Sequence, residues 1–234
     1  SPFADDAEGG SITVEAGSNS FRNTSVQTVF SEGDFGLSLS ASEMDTDNER
    51  PNDEYSRLSG STRLEYRLSD AFFAELIAYG VDTEKREPGQ LSSPTPENAN
   101  STQDWLISPG LRYATDVVSM HFFASRSELD FDGKSSFGSY SQNVVSDEIN
   151  LQVDYSLNDA TLLSFGGLYR NDSFENSGKK DLQPTPEQTG LYFQLISRLS
   201  EKLELRGGAR FDEFSDFGDK TTGSLEAIYY FDHS

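Results

Sequence analysis

The side chains able to do chemistry are few. His121 and His233 are the only imidazoles, and there is no cysteine. Thiolate metal sites and disulfide scaffolds are therefore excluded. A barrel phospholipase would need a His-x-Ser pair on one strand face, and Phe123 stands where that serine would follow His121. No serine, histidine and acid share a spacing that suggests a nucleophilic triad, so no enzymatic activity is expected. Oxygen ligands are denser. The run Glu43-Met-Asp-Thr-Asp-Asn-Glu-Arg-Pro-Asn-Asp-Glu54 offers Asp45, Asp47 and Asp53 to a hard cation such as calcium. It lacks the glycine and terminal glutamate placement of an EF-hand, and a solvated acidic loop is the plainer reading. No other cofactor is expected.

A second set of charges is spaced by twos. Arg63, Glu65 and Arg67 alternate with Leu64 and Tyr66; Glu204 and Arg206 alternate with Leu203 and Leu205. Glu75, Arg112, Arg198, Arg210 and Glu226 sit in similar settings, with Gln152, Asp154 and Gln194 on the same parity and His121 expected beside them. Successive side chains on a strand point to opposite faces, so these charges share one wet face. They could form a cross-strand ladder that holds the sheet. They could equally form a contact surface for an internal domain or a permeating solute.

The elements that must position them are β-strands. About twelve are expected from the period-two pattern, starting near Ser11, Arg22, Phe35, Glu54, Ala71, Thr102, Val117, Gln142, Ala160, Glu187, Lys202 and Thr221. The opposite parity is apolar: Leu37 and Leu39, Leu64 and Tyr66, Leu76, Ile107 and Leu111, Met120 and Phe122, Leu151 and Val153, Leu163 and Phe165, Leu191 and Leu195, Leu205, Leu225. A sandwich buries such faces against each other, whereas a transmembrane barrel turns them to lipid around a polar lumen. A charge on the lipid side at mid-membrane costs roughly 2–4 kcal/mol for Arg or Lys, and none of the charges named above falls on that parity.

Connections favour the barrel. Tight ones fall at Ser31, Leu68, Ala114, Leu157 and Leu199, where Asp, Asn and Ser suit turns. Longer polar ones are expected at Asp45–Asp53, Lys85–Ser101, Asp130–Ser141, Asn171–Pro186 and Glu213–Lys220. The two with Pro-Thr-Pro read as loop tips. Strict short–long alternation is the pattern of an outer-membrane barrel, with short turns in the periplasm. Tyr66, Tyr113, Tyr155 and Phe231 precede tight turns, while Trp105, Phe193 and Phe211 are expected toward the other strand ends. Two such bands read as interfacial girdles.

The chain has 234 residues and a net charge of −22. The acidity argues against nucleic acid as a partner. It favours solubility, or attraction of cations that bridge to anionic headgroups. No run of about 18 apolar residues is present, so no transmembrane helix is expected. The start, Ser-Pro-Phe-Ala-Asp-Asp, has neither the basic region nor the apolar core of a leader, so an exported form would have lost one.

Several phrases resemble the barrel of TonB-dependent outer-membrane receptors, the family that imports siderophores and cobalamin. Gly9-Gly10-Ser-Ile-Thr-Val-Glu-Ala-Gly17-Ser-Asn-Ser-Phe21 looks like the strand and turn after the receptor's plug domain. Phe35-Gly-Leu-Ser-Leu-Ser-Ala-Ser and Tyr55-Ser-Arg-Leu-Ser-Gly-Ser-Thr-Arg-Leu-Glu-Tyr look like the next hairpins. The resemblance implies an all-β, antiparallel up-and-down transmembrane barrel in the bacterial outer membrane, with membrane lipid as one partner. It also implies a larger barrel of about twenty-two strands, of which residues 1–234 would form a single barrel segment. Plug and remaining strands would then come from another chain, and a TonB-type energising complex would act only through that partner. The solute would be scarce and siderophore- or cobalamin-like.

The last residues, Tyr230-Phe-Asp-His-Ser234, look like entry into another tight turn. Alternatively the strands close by themselves, since twelve is even, and Phe231 acts as a terminal aromatic assembly signal. That barrel would have a pore, structural or adhesive role. An open half-barrel would expose two sheet edges to lipid, which is prohibitive. A soluble acidic β-protein is disfavoured by the alternation of connections.

Overall fold

The structure, a computed structural model, describes residues 8–177 and 185–231. His233, Asp232 and Ser234 of the tail, Ser1–Ala7 and the stretch 178–184 lie outside the described residues. Among the described residues every regular element is a β-strand. Twelve long strands form one antiparallel sheet in chain order. They are β1 (Gly9–Ala16), β2 (Arg22–Glu32), β3 (Phe35–Thr46), β4 (Tyr55–Arg67), β5 (Phe72–Arg86), β8 (Ala99–Ala114), β9 (Val118–Ser135), β10 (Gly138–Asn158), β11 (Thr161–Asn176), β12 (Glu187–Ser200), β13 (Leu203–Phe214) and β14 (Gly218–Tyr229). A two-residue hairpin, β6 (Gly89–Gln90) with β7 (Ser93–Pro94), sits inside the connection from β5 to β8.

The period-two pattern places the faces as expected. Leu64 faces Leu76, Leu111 faces Phe122, Leu151 faces Phe122 and Phe165 faces Phe193. On the other face Arg112 is opposite His121, Arg206 opposite Glu226 and Arg198 opposite Glu204. The two faces differ in crowding. Leu58 and Leu191 on the apolar face are 58% and 59% exposed, while Glu65 and Glu204 on the polar face are 5% and 6% exposed. A sheet crowded on one side and spread on the other is curled toward the crowded side, as in a barrel wall.

The lower turns follow local turn chemistry. Gly33 takes φ +59° between β2 and β3, a conformation that side chains with a Cβ rarely adopt. The other four turns at this end are each closed by a hydroxyl or amide. Ser69 Oγ accepts from Phe72 N at 3.2 Å, Thr115 Oγ1 from Val118 N at 3.0 Å, Asn158 Oδ1 from Ala160 N at 2.9 Å and Ser200 Oγ from Lys202 N at 3.3 Å. Register shifts beside the last two mark bulges at Ser156/Asn158 and Arg198/Ser200.

The upper connections correct the expected alternation. The segment Asp130–Ser141 is not a loop: β9 and β10 run through it and turn at Ser136 and Phe137. Glu213–Lys220 likewise reduces to a turn between β13 and β14, and β11 runs on to Asn176. These strands outlast the outer apolar stripe, and their polar residues beyond it read as loop. Phe193 also differs from its expected place, lying midway along β12 opposite Phe165 and Ala209. Trp105 and Phe211 do end the apolar stripe, while Phe72 and Tyr113 pack at 5.2 Å near its lower margin.

The sheet is not closed. β1 and β14 are its edges, each hydrogen-bonded along one side.

Candidate functional site

The candidate site is the polar concave face, where strand alternation brings together charges far apart in sequence. Its lower part joins β4, β5, β8 and β9. Glu65 and Glu75 are directly opposite each other, 5% and 8% exposed. Like charges so placed repel, and burial costs each more. Three cationic or proton-bearing groups offset this. Arg112 Nη2 donates to Glu65 Oε2 at 2.7 Å, although the two are 47 residues apart. Arg63 Nη2 donates to Glu75 Oε2 at 3.3 Å and lies 4.0 Å from Glu65. His121 Nε2 is 2.5 Å from Glu75 Oε1. Phe73 completes the cluster, with the guanidinium carbons of Arg112 and Arg67 at 5.1 and 6.0 Å from its ring centre. Gly110 leaves room here: a Cβ would meet Glu75 Cγ at 3.0 Å.

A second cluster lies on β12, β13 and β14. Arg206 Nε donates to Glu204 Oε1 at 2.7 Å and its Nη1 is 3.7 Å from Glu226. Higher on β13, Arg210 forks onto Asp212 with two bonds of 2.7 Å, and Gln188 donates to the same carboxylate at 3.0 Å. Gly190 sits opposite Asp212, where a Cβ would lie 2.8 Å from Oδ1. On β11, Arg170 Nε bridges both oxygens of Asp172 at 2.9 and 3.0 Å.

Ten charges were expected on this face: Arg63, Glu65, Arg67, Glu75, Arg112, Arg198, Glu204, Arg206, Arg210 and Glu226. All have that parity, and His121 joins them. Sequence reasoning missed Arg170, Asp172, Asp212, Gln188 and the aromatic plate of Phe73. Opposite charges two residues apart, as in Arg170-Asn-Asp172 and Arg210-Phe-Asp212, are the signal that would have found three of them.

The acidic loop behaves differently. Among the described residues no three His, Asp or Glu side chains are gathered as a metal would need, and Asp45, Asp47 and Asp53 are not brought together. Amides organise this region instead. Asn48 Nδ2 donates to Asp53 O at 2.5 Å. Asn52 lies at φ +60°, with its Nδ2 3.0, 2.7 and 3.2 Å from the carbonyls of Glu87, Thr95 and Asn98. Short polar side chains tolerate this left-handed conformation, and the amide ties one upper loop to the next.

What the face can do follows from its chemistry. It is a wall of mutually compensated charges, suited to contact water, a polar solute or another folded segment. No family model and no curated protein matches the chain. Solved structures do. The siderophore receptor PirA from Pseudomonas aeruginosa aligns with 98% of this chain and 41% of its own length, at 15% identity and a TM-score of 0.80. The alcaligin outer-membrane receptor FauA from Bordetella pertussis aligns at 13% identity and 0.77, covering 97% of this chain and 41% of that one. The FrpB iron transporter from Neisseria meningitidis (F3-3 variant) gives 17% and 0.76, covering 97% and 44%. The fold thus resembles TonB-dependent siderophore and metal receptors, and the chain spans less than half the length of those proteins.

Proposed function

We propose that this chain is part of the wall of an outer-membrane barrel that takes up a scarce solute in the manner of TonB-dependent receptors. In this reading the apolar face lies in lipid and the charged face lines the lumen. Plug and remaining strands come from beyond this sheet, and TonB-type energy arrives only through them. The observation that carries it is the pairing of a curled twelve-stranded amphipathic sheet with two open edges, β1 and β14. Strand edges left unpaired in lipid cost several kcal/mol per exposed backbone group, so further strands must cover them. Partial coverage of the receptor chains supports the same reading.

The lower cluster around Glu65 and Glu75 then serves as a contact surface for the segment that fills the lumen. Siderophore-like and other metal chelates are the substrate class suggested by the similar proteins. Copurification from native membranes, with the mass of the intact complex measured, tests the proposal. A complex that includes additional barrel strands and a plug-like domain is expected. A monomer near 25.9 kDa embedded in the membrane would replace it with a self-closed barrel.

A further inference from the structure

The strands β9, β10 and β11 reverse their polarity partway up. Below, apolar side chains such as Phe122, Leu151 and Phe165 occupy the outer face. The reversal begins where Arg126 and Asp147 form a 3.5 Å ion pair on that outer face. Beyond it Glu128, Asp130 and Asn143 are outermost, joined by Asn143 Nδ2 at 2.8 and 2.5 Å, and only Val145 stays apolar there. Leu129, Val144 and Phe174 have moved to the inner face. They lie in one cross-strand row that continues to Asp104 and Val81: Val81 pairs with Asp104, Asp104 with Leu129, Leu129 with Val144 and Val144 with Phe174. Five strands at about 4.8 Å spacing make this row roughly 19 Å wide.

An apolar row facing a polar lumen is unpartnered. Leu129 remains 38% exposed. Its single charge is Asp104, set between two aliphatic neighbours. Among the described residues its partner is the Tyr79 hydroxyl, which donates at 3.3 Å, and no guanidinium or ammonium pairs with it. The lower clusters differ, since each carboxylate there already holds an arginine.

We propose that this row is a docking site for an organic monocation with an apolar body. The occupant's charge meets Asp104 and its hydrocarbon runs along the row over Leu129, Val144 and Phe174. An anion of the same shape is repelled by Asp104. The inference rests on the barrel-wall reading and adds to it a substrate class.

The test uses the assembly purified from native membranes and placed in lipid nanodiscs. Tetraphenylphosphonium and tetraphenylborate share shape and carry opposite charge. Equilibrium dialysis against empty nanodiscs should show saturable binding of the cation only. Asp104→Asn should weaken it about fivefold, the loss of one partly exposed ion pair. Asp104→Glu should restore it and Phe174→Ser should weaken it. Equal saturable binding of both ions, absent cation binding, or cation binding unchanged by Asp104→Asn overturns the proposal. Failure with a chain still recovered from membranes sinks this inference alone. A chain never recovered there sinks the barrel-wall reading, and this one with it.

Discussion

The ring of Tyr192 lies against Gly166, its directly opposed neighbour across β11 and β12. A Cβ at position 166 would clash with the backbone carbonyl oxygen of Leu151 and come within 2.6 Å of both Tyr192 Cε1 and its hydroxyl oxygen. Glycine thus provides a socket and tyrosine covers the backbone that glycine leaves bare. Tyr140 and Gly133 repeat the arrangement on β9 and β10. Such pairs let a curled sheet place a large ring flat on its crowded face.

Gly166→Ala should therefore destabilise the sheet by about 1–3 kcal/mol through overpacking. Tyr192→Phe keeps the ring and should cost less. Urea midpoints in detergent check both, and a Gly166→Ala protein as stable as the parent would show that ring and β10 backbone both give way at no cost.

The opposed carboxylates of β4 and β5 make a second case. Glu75→Ala removes one of two like charges but leaves Arg63 and His121 without their acceptor. Loss of a shared acceptor should dominate, at about 1–2 kcal/mol, since Arg63 keeps partial access to water. Glu226→Gln is the contrast. Its side chain is 59% exposed and 3.7 Å from Arg206, so a change within about 0.5 kcal/mol is expected. Unfolding of the two variants side by side decides whether the lower cluster is structural.

Charge placed on each parity of one strand tests which face meets hydrocarbon. Leu151→Arg puts a guanidinium on the apolar face of β10, opposite Phe122 and Gly167. It should cost roughly 2–4 kcal/mol and depress insertion into lipid vesicles. Gln152→Arg, one residue on, faces His121 and Gly166 and should insert nearly as well as the parent. Equal insertion of both would remove the lipid assignment.

Asn52 joins the loop 47–54 to the loop 87–98. An amide has two hydrogens, so its three short contacts share them among Glu87, Thr95 and Asn98. Asn52→Ala loses the donors and strains a φ of +60°, whereas Asn52→Gly loses only the donors. Limited proteolysis should show faster cleavage within 87–98 for both, fastest for alanine. Glycine behaving like the parent would assign the residue's role to backbone shape alone.

Much of this protein was legible in its sequence because a strand has a period of two. Leu64 and Arg63 must face opposite ways wherever the strand lies, so both faces, the twelve strands and the short lower turns could be read from residue types. Tertiary structure decided the rest. On β9 and β10 the apolar parity switches from Phe122 and Leu151 below to Leu129 and Val144 above, so the outer stripe stops and Asp130–Ser141 read as a loop although it is the top of a hairpin. The same switch of parity hid the inward placement of Leu129, Val144 and Phe174. Parity puts Arg112 and Glu65 on one face, but only the stagger of β4, β5 and β8 brings them to 2.7 Å. Ligand geometry likewise needs three dimensions: Asp45, Asp47 and Asp53 share a short stretch of chain, yet amides, not carboxylates, organise the folded loop. The two unpaired edges are also a property of the assembled sheet, because a strand's sequence carries its faces and not the number of its neighbours.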